Sequence, residues 1–246
     1  METYSLTDIG QTREMNQDYF FSSEEPVGNL PTLFIVADGM GGHKAGEFAS
    51  CFTVEKVVEA VTGSKKEDIP EILGDAIGNA NLALIEYAGE HPQMHGMGTT
   101  VVAAVVTENQ LYVANVGDSR LYLLRDSLAQ ITRDHSLVEE MVARGKMERD
   151  SESYRSQKNI ITRAMGIGNR EEADFFEVPL LECDCILLCS DGLTNMVDDA
   201  EISRVLKTTD TLKEKTEALV DEANRNGGKD NIAIVLVEPQ ISEVKL

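Results

Sequence analysis

The sequence predicts an α/β fold, an α-β-β-α sandwich with two mainly antiparallel central sheets flanked by helices and a flap subdomain. Three observations carry that expectation. Apolar runs of strand length recur between turn residues. Some of the gaps between them are only hairpin length, which pairs neighbouring strands antiparallel. Helical spacing comes in blocks and does not alternate strictly with strands, which argues against a doubly wound parallel sheet.

Taken in order, the strand runs cover residues 33–37, 101–106, 111–116, 121–124, 186–189 and 232–237. Thr107-Glu108-Asn109-Gln110 is a hairpin-length gap, as is the polar link around Arg125-Asp126-Ser127. Phe48, Ala49, Phe52, Val57, Val58 and Val61 mark one amphipathic helix ending near Gly63, and Leu73, Ala76, Ile77, Ala80 and Leu84 mark a second. Leu212, Thr216, Leu219, Val220 and Ala223 mark another before the last strand. Residues 145–159 are polar, mixed in charge and without sustained periodicity, over more residues than an ordinary connection needs. Two readings fit that segment about equally: a mobile active-site flap, or a surface excursion with a short helix. With no internal repeat, low-complexity tract or interdomain linker, residues 1–246 are expected to form one domain.

A formal net charge of −21 disfavours a nucleic-acid backbone or an anionic membrane as partner, because both would be repelled, whereas cations are attracted. No basic n-region with an apolar h-region opens the chain, and no apolar stretch approaches the roughly 20 residues needed to span a bilayer. The expectation is a cytoplasmic protein without membrane insertion, acting as a monomer. Cys51, Cys183, Cys185 and Cys189 form no paired zinc-ligand spacing. If Cys183 and Cys185 lie in one strand they share a face, yet packing accounts for all four cysteines better than a metal or redox role does.

Two strand runs end in Asp-Gly, at Asp38-Gly39 and Asp191-Gly192, so each delivers a carboxylate at its C-terminal end. A glycine there lets the chain turn sharply and its carbonyl approach a ligand closely, which makes Gly39 a candidate metal ligand. A third strand ends in Gly117-Asp118, while Asp18 and Asp230 stand just before strands. In antiparallel sheets, strand starts and strand ends share a rim, so Asp18, Asp38, Asp118, Asp191 and Asp230 can converge. Ionised carboxylates crowded together need compensation, and divalent ions supply it. An all-oxygen donor set points to Mg²⁺ or Mn²⁺. Any single Asp-Gly is a commonplace turn, and only the joint arrangement carries weight.

Gly10-Gln11-Thr12-Arg13-Glu14-Met15-Asn16-Gln17-Asp18, Asp38-Gly39-Met40-Gly41-Gly42-His43, Gly98-Thr99-Thr100, Gly117-Asp118-Ser119-Arg120, Ser190-Asp191-Gly192-Leu193 and Asp230-Asn231-Ile232 follow one another along the chain. In content and order this series resembles the type 2C, metal-dependent serine/threonine protein phosphatases, in their short bacterial branch. The resemblance runs over residues 7–237 and implies the sandwich fold with a metal centre between its sheets. It also implies Mn²⁺ or Mg²⁺ as cofactor, two ions tightly bound and a third weaker. On that pattern Asp38 bridges two ions, the Gly39 carbonyl joins the second, and Asp191 and Asp230 complete the first. Asp118 with Asp191 matches the weaker site, and Asp18 acts through water more than as a direct ligand.

Arg13 matches the family's phosphate-binding arginine, and a guanidinium fork suits two phosphate oxygens. The implied reaction is attack on phosphorus by a water activated between two cations, releasing phosphate from phosphoserine or phosphothreonine. Implied partners are phosphoproteins, including a bacterial serine/threonine kinase and its substrates. One departure stands out: Met40 occupies the place where eukaryotic members carry a histidine able to protonate the leaving alkoxide. His43 is the nearby alternative, either as proton donor or as the start of the following helix. Ser136 and Glu139 have capping-box spacing, which makes His135 beside them structural. His91 and His95 read as solvated, and ion pairing explains Arg120, Arg133 and Arg163 as well as substrate guidance does. The competing functions are a non-catalytic module of the same fold, which would not need every motif, and a two-metal phosphodiesterase, which the charge disfavours.

Overall fold

The structure, a computed structural model, describes residues 1–42, 44–149, 151–168, 172–208 and 210–241, with the side chain of Arg155 left aside. One sheet carries, in spatial order, β1 (Glu2–Asp8), β11 (Ile232–Glu238), β10 (Cys185–Cys189), β7 (Arg120–Leu124) and β8 (Leu128–Gln130). The other carries β2 (Asp18–Ser23), β3 (Leu33–Met40), β5 (Val101–Val106), β6 (Gln110–Val116) and β9 (Asp174–Pro179), with the short β4 (Gly98–Thr99) against the end of β3. The pairings are antiparallel throughout. Two long helices, α1 (Ala45–Gly63) and α2 (Ile69–Glu90), cover the second sheet. The short α5 (Asp191–Thr194), α6 (Asp199–Leu206) and α7 (Leu212–Arg225) cover the first.

Why the central strands read as unbroken apolar runs is now plain. Side chains alternate between the faces of a strand, and here both faces are buried. Along β3, Leu33, Ile35 and Ala37 pack toward the helices, while Phe34 and Val36 join Val102, Val113, Leu188 and Val235 between the sheets. Each large side chain removed from water this way contributes about 1.5–3 kcal/mol. The turn at Thr107 closes the β5–β6 hairpin, its amide and hydroxyl both donating to the Gln110 carbonyl at 2.9 and 3.0 Å.

Helix ends follow local chemistry. Asp68 caps α2 by accepting from the Glu71 amide, and Thr211 with Glu214 forms a reciprocal capping box on α7. At α3 (Leu137–Ala143) only half of the expected box is present. Ser136 accepts from the Glu139 amide, but the Glu139 carboxylate turns away to Arg149 and Tyr154. Cys183 lies in the turn before β10 with φ +65° and is exposed, so it shares no strand face with Cys185. Cys185 and Cys189 are buried and Cys51 half-buried. Among the described residues, no helix is long and apolar enough to cross a membrane.

Candidate metal centre

The register of β2 against β3 sets Asp18 opposite Asp38, so two carboxylates meet at one end of the second sheet. Asp38 is clamped through its backbone: its amide donates to Thr100 Oγ1 at 2.9 Å, and its carbonyl accepts from Thr99 Oγ1 at 2.8 Å and Thr100 N at 2.9 Å. Thr100 Oγ1 also meets Ser119 Oγ at 2.6 Å, which ties the Asp38 turn to the loop carrying Asp118. Gly39 has no room for a side chain, because a Cβ there would strike the carbonyls of Gly46 and Gln17. Its own carbonyl in turn lies against Gly46, where an added Cβ would come within 2.8 Å of it.

From the first sheet, β10 ends at Cys189, and Ser190 then delivers Asp191 at the start of α5. Ser190 spans the sheets: its hydroxyl donates to Asp18 Oδ2 at 2.6 Å and accepts from the Ala233 amide at 2.9 Å. Gly192 touches the Asn231 carbonyl so closely that no Cβ could stand there. Asn231 in turn staples the segment around Arg13, donating to the carbonyls of Ile9 and Met15 and accepting from the Gln17 amide, each at 2.9 Å. Asp230 receives Arg13 Nη2 on one oxygen at 2.6 Å and the Asn231 amide on the other at 2.9 Å.

These contacts bring Asp18, Asp38, Asp118, Asp191 and Asp230 to one rim, where the charges of Asp18, Asp118, Asp191 and Asp230 raise the proton affinity of neighbouring carboxyls while Asp38 hydrogen-bonds Asp18 and Asp191. Burial pushes Asp18 up to about 7, and the charges of Asp191 and Asp230 add to it while the Ser190 hydrogen bond opposes it. Asp118 is pushed up to about 8 by burial and then by Asp191. Asp38 is raised well above the usual carboxylate range by burial and then by Asp18, and Asp191 is raised by burial and then by Asp230. Two oxygens, Asp118 Oδ1 and Asp191 Oδ1, are buried with no hydrogen-bond partner. Among the described residues, no group of three or more His, Cys, Asp or Glu side chains already stands in ligating geometry around one point. The case for cations therefore rests on the electrostatics, the two unmatched oxygens and the all-oxygen chemistry, and on those grounds the residues fit Mg²⁺ or Mn²⁺.

The remaining candidates separate cleanly. Arg120 grips Asp134 with two nitrogens at 2.7–3.1 Å and touches Tyr122 Oη, while Arg163 pairs with Asp174 at 2.8 Å. Arg133 donates to the Glu139 carbonyl at 3.3 Å. His91 stacks on Tyr87 and bonds the Tyr87 carbonyl, so it is half-buried and not merely solvated, whereas His95 is exposed. His43 lies outside the described residues. Tyr154, Lys158 and Asn159, at and just after α4 (Glu152–Gln157), line a small cavity together with Asp118 and Asp191. A groove of about 640 Å³ continues from it between Arg149 and the start of α6.

Residues 10–233 match the family model described as protein phosphatase 2C. The chain belongs to the protein phosphatase 2C family. This phosphatase is 41% identical over 242 residues to the serine/threonine phosphatase stp of Listeria innocua, covering 96% of this chain and 95% of that one. Its structure superposes on the S. agalactiae serine/threonine phosphatase with a TM-score of 0.89 at 37% identity, covering 97% and 99% of the two chains. The catalytic domain of the serine/threonine phosphatase PstP, solved in complex with two manganese ions, matches with a TM-score of 0.83 at 32% identity, covering 96% of each chain. The phosphatase is thus of the bacterial serine/threonine type, with the two-sheet sandwich of its relatives. Thr100, Ser190 and Asn231, which hold the acidic residues in place, stand inside the motifs read from the sequence without a role having been legible for them.

Proposed function

We propose that the acidic rim of this phosphatase holds Mn²⁺ or Mg²⁺ through Asp38, Asp191, Asp230 and the Gly39 carbonyl, with a weaker ion at Asp118 and Asp191. The observation that best supports this is the pair of buried oxygens, Asp118 Oδ1 and Asp191 Oδ1, which find no protein donor inside a cluster of mutually repelling carboxylates. When bound, divalent cations would supply Lewis acidity toward the phosphoryl oxygens and a nucleophile derived from water. The chain's own residues do the rest. Asp18, oriented by the Ser190 hydroxyl and set opposite Asp38, would hold a water by hydrogen bond. Arg13 spends one donor on Asp230, and a guanidinium has five, so it retains capacity for two phosphate oxygens. The groove beside Arg149, Tyr154 and Lys158 has room for the polypeptide that carries the phosphate.

On this reading the substrates are phosphoserine and phosphothreonine in proteins, among them a serine/threonine kinase and its targets. Residues 1–246 act as one catalytic domain, in the cytoplasm and as a monomer, and the −21 charge accords with the absence of nucleic-acid or membrane partners. The test is hydrolysis of a phosphoserine peptide by protein stripped of metal and then titrated with Mn²⁺ or Mg²⁺. Activity is expected only after addition. Full turnover in a verified metal-free preparation overturns the proposal, and preference for a phosphodiester over the monoester would replace it with the phosphodiesterase reading.

A further inference from the structure

His135 is only 6% exposed, and its hydrogen bonds and ion pair among the described residues go to Gly117, Thr162, Arg163 and Asp174 and not to the acidic rim, yet it is bonded to the backbone that carries one member of it. The Gly117 amide donates to His135 Nδ1 at 3.0 Å, and the His135 amide donates back to the Gly117 carbonyl at 2.9 Å. Because Nδ1 accepts from an amide, the neutral ring must carry its hydrogen on Nε2. That N–H faces Asp174 Oδ2 at 3.1 Å. Arg163 Nη1 also lies 2.9 Å from Nε2, a donor-to-donor approach in this tautomer and not a hydrogen bond, and it is held there by Asp174 Oδ1 at 2.8 Å, so one carboxylate receives the N–H of both side chains. Burial, helped by the Arg163 charge, pushes His135 below the ordinary histidine range, which keeps Nδ1 an acceptor.

Gly117 is also pinned from other sides. Its φ is +111°, a Cβ on it would lie 2.6 Å from Thr100 Cγ2, and its carbonyl accepts from Asn115 Nδ2 at 3.3 Å. The next residue is Asp118, whose Oδ1 is buried without a partner, so nothing at that oxygen fixes where the carboxylate points. The carboxylate also bonds its own backbone amide, so its aim follows the backbone behind it.

We propose that His135 is a positioning residue for Asp118: with its tautomer set by Asp174, Nδ1 seats the Gly117 amide and so aims the Asp118 carboxylate into the cavity shared with Asp191. This rests on the reading of Asp118 as a ligand of the weaker cation. Groups that orient ligands in this way change metal affinity by about 10–100-fold when removed.

The experiment is calorimetric titration of the full chain with Mn²⁺, with thermal melting alongside, for His135→Leu, His135→Asn and Asp118→Asn. The Asn amide oxygen can stand where Nδ1 does, whereas Leu offers no acceptor. His135→Leu is expected to weaken the weakest Mn²⁺ event about tenfold and leave the tighter events in place, with His135→Asn restoring most of the loss. Wild-type affinity for all ions in His135→Leu overturns the proposal. So does equal weakening of every event together with a lowered melting temperature, which would make His135 a fold residue only, and so does failure of His135→Asn to differ from His135→Leu. If Asp118→Asn itself keeps the weakest event, the premise about Asp118 fails, independently of His135.

Discussion

Asp230 takes a guanidinium on one oxygen and a backbone amide on the other, and the Arg13 partner in that pair is 47% exposed. An ion pair so open to water contributes only about 0–1 kcal/mol to stability. Arg13→Ala is therefore expected to leave the melting temperature and metal content nearly unchanged while lowering kcat/KM for a phosphopeptide, by about 10–100-fold if two charge-assisted hydrogen bonds to phosphate are lost. Steady-state kinetics beside metal analysis checks this, and unchanged kcat/KM would return Arg13 to a purely structural pairing. Asp191→Ala removes Oδ1, which has no protein partner, along with Oδ2, which accepts from Asn195 Nδ2 at 2.8 Å, so it should abolish most turnover with loss of bound ions; near-normal rates at limiting metal would contradict the ligand assignment. The aspartates themselves were legible in the sequence because each stands at, or within two residues of, a strand start or end. Thr100, Ser190 and Asn231 were not, because their partners are backbone atoms or side chains as far as 222 residues away, and no local pattern encodes such bonds.

At the level of elements, legibility followed burial. The strands β3, β5, β6, β10 and β11 are buried on both faces and announced themselves as apolar runs, whereas β1 and β9 lie at sheet edges, half-buried, and their mixed composition hid them. The segment 145–159 was read either as a flap or as a surface excursion with a short helix, and among its described residues it holds one short helix, whose cap is Ser151. It also supplies Arg149 and Tyr154 to the carboxylate of Glu139, which is buried at the base of α3. Shortening it between residues 146 and 157 leaves that charge unpaired in the interior, so thermal stability should fall, by about 3–5 kcal/mol when a buried partner is removed. The variant that tests the flap reading combines the shortening with Glu139→Gln. Its dephosphorylation of a phosphoprotein should drop much more than its hydrolysis of a small aryl phosphate, since only the larger substrate reaches the groove beside Lys158. Equal efficiency on both substrates would make the segment decoration; loss of both activities together with the metals would make it part of the core.

Across the whole molecule, a formal charge of −21 and a rim of raised carboxyls make stability a function of pH and of cations together. Asp18 at about 7 and Asp118 at about 8 hold protons in the folded chain that the unfolded chain gives up near pH 4. Between those values the native state binds more protons than the unfolded one, so its stability must fall as pH rises. Without metal, the melting temperature should therefore decline from pH 5 toward pH 8.5. On the proposed metal assignment, divalent cations should take over the role of the protons, because they would bind the ionised carboxylates and so favour the folded state where it is weakest. At a hundredfold excess over its dissociation constant, one bound ion stabilises by about 2.7 kcal/mol, which for a chain of this size is about 5–10 °C. The stabilisation by Mn²⁺ should be larger at pH 8 than at pH 5.5, where protons compete for the same oxygens. Asp18→Asn, which removes one raised carboxyl but keeps an acceptor for Ser190, should flatten the metal-free pH profile. Thermal scans across pH, with chelator and with Mn²⁺, decide the matter: a metal-free melting temperature that holds level or rises between pH 5 and 8.5 would mean that the rim carries its negative charge at no cost, and the electrostatic case for a cation site would fall with it.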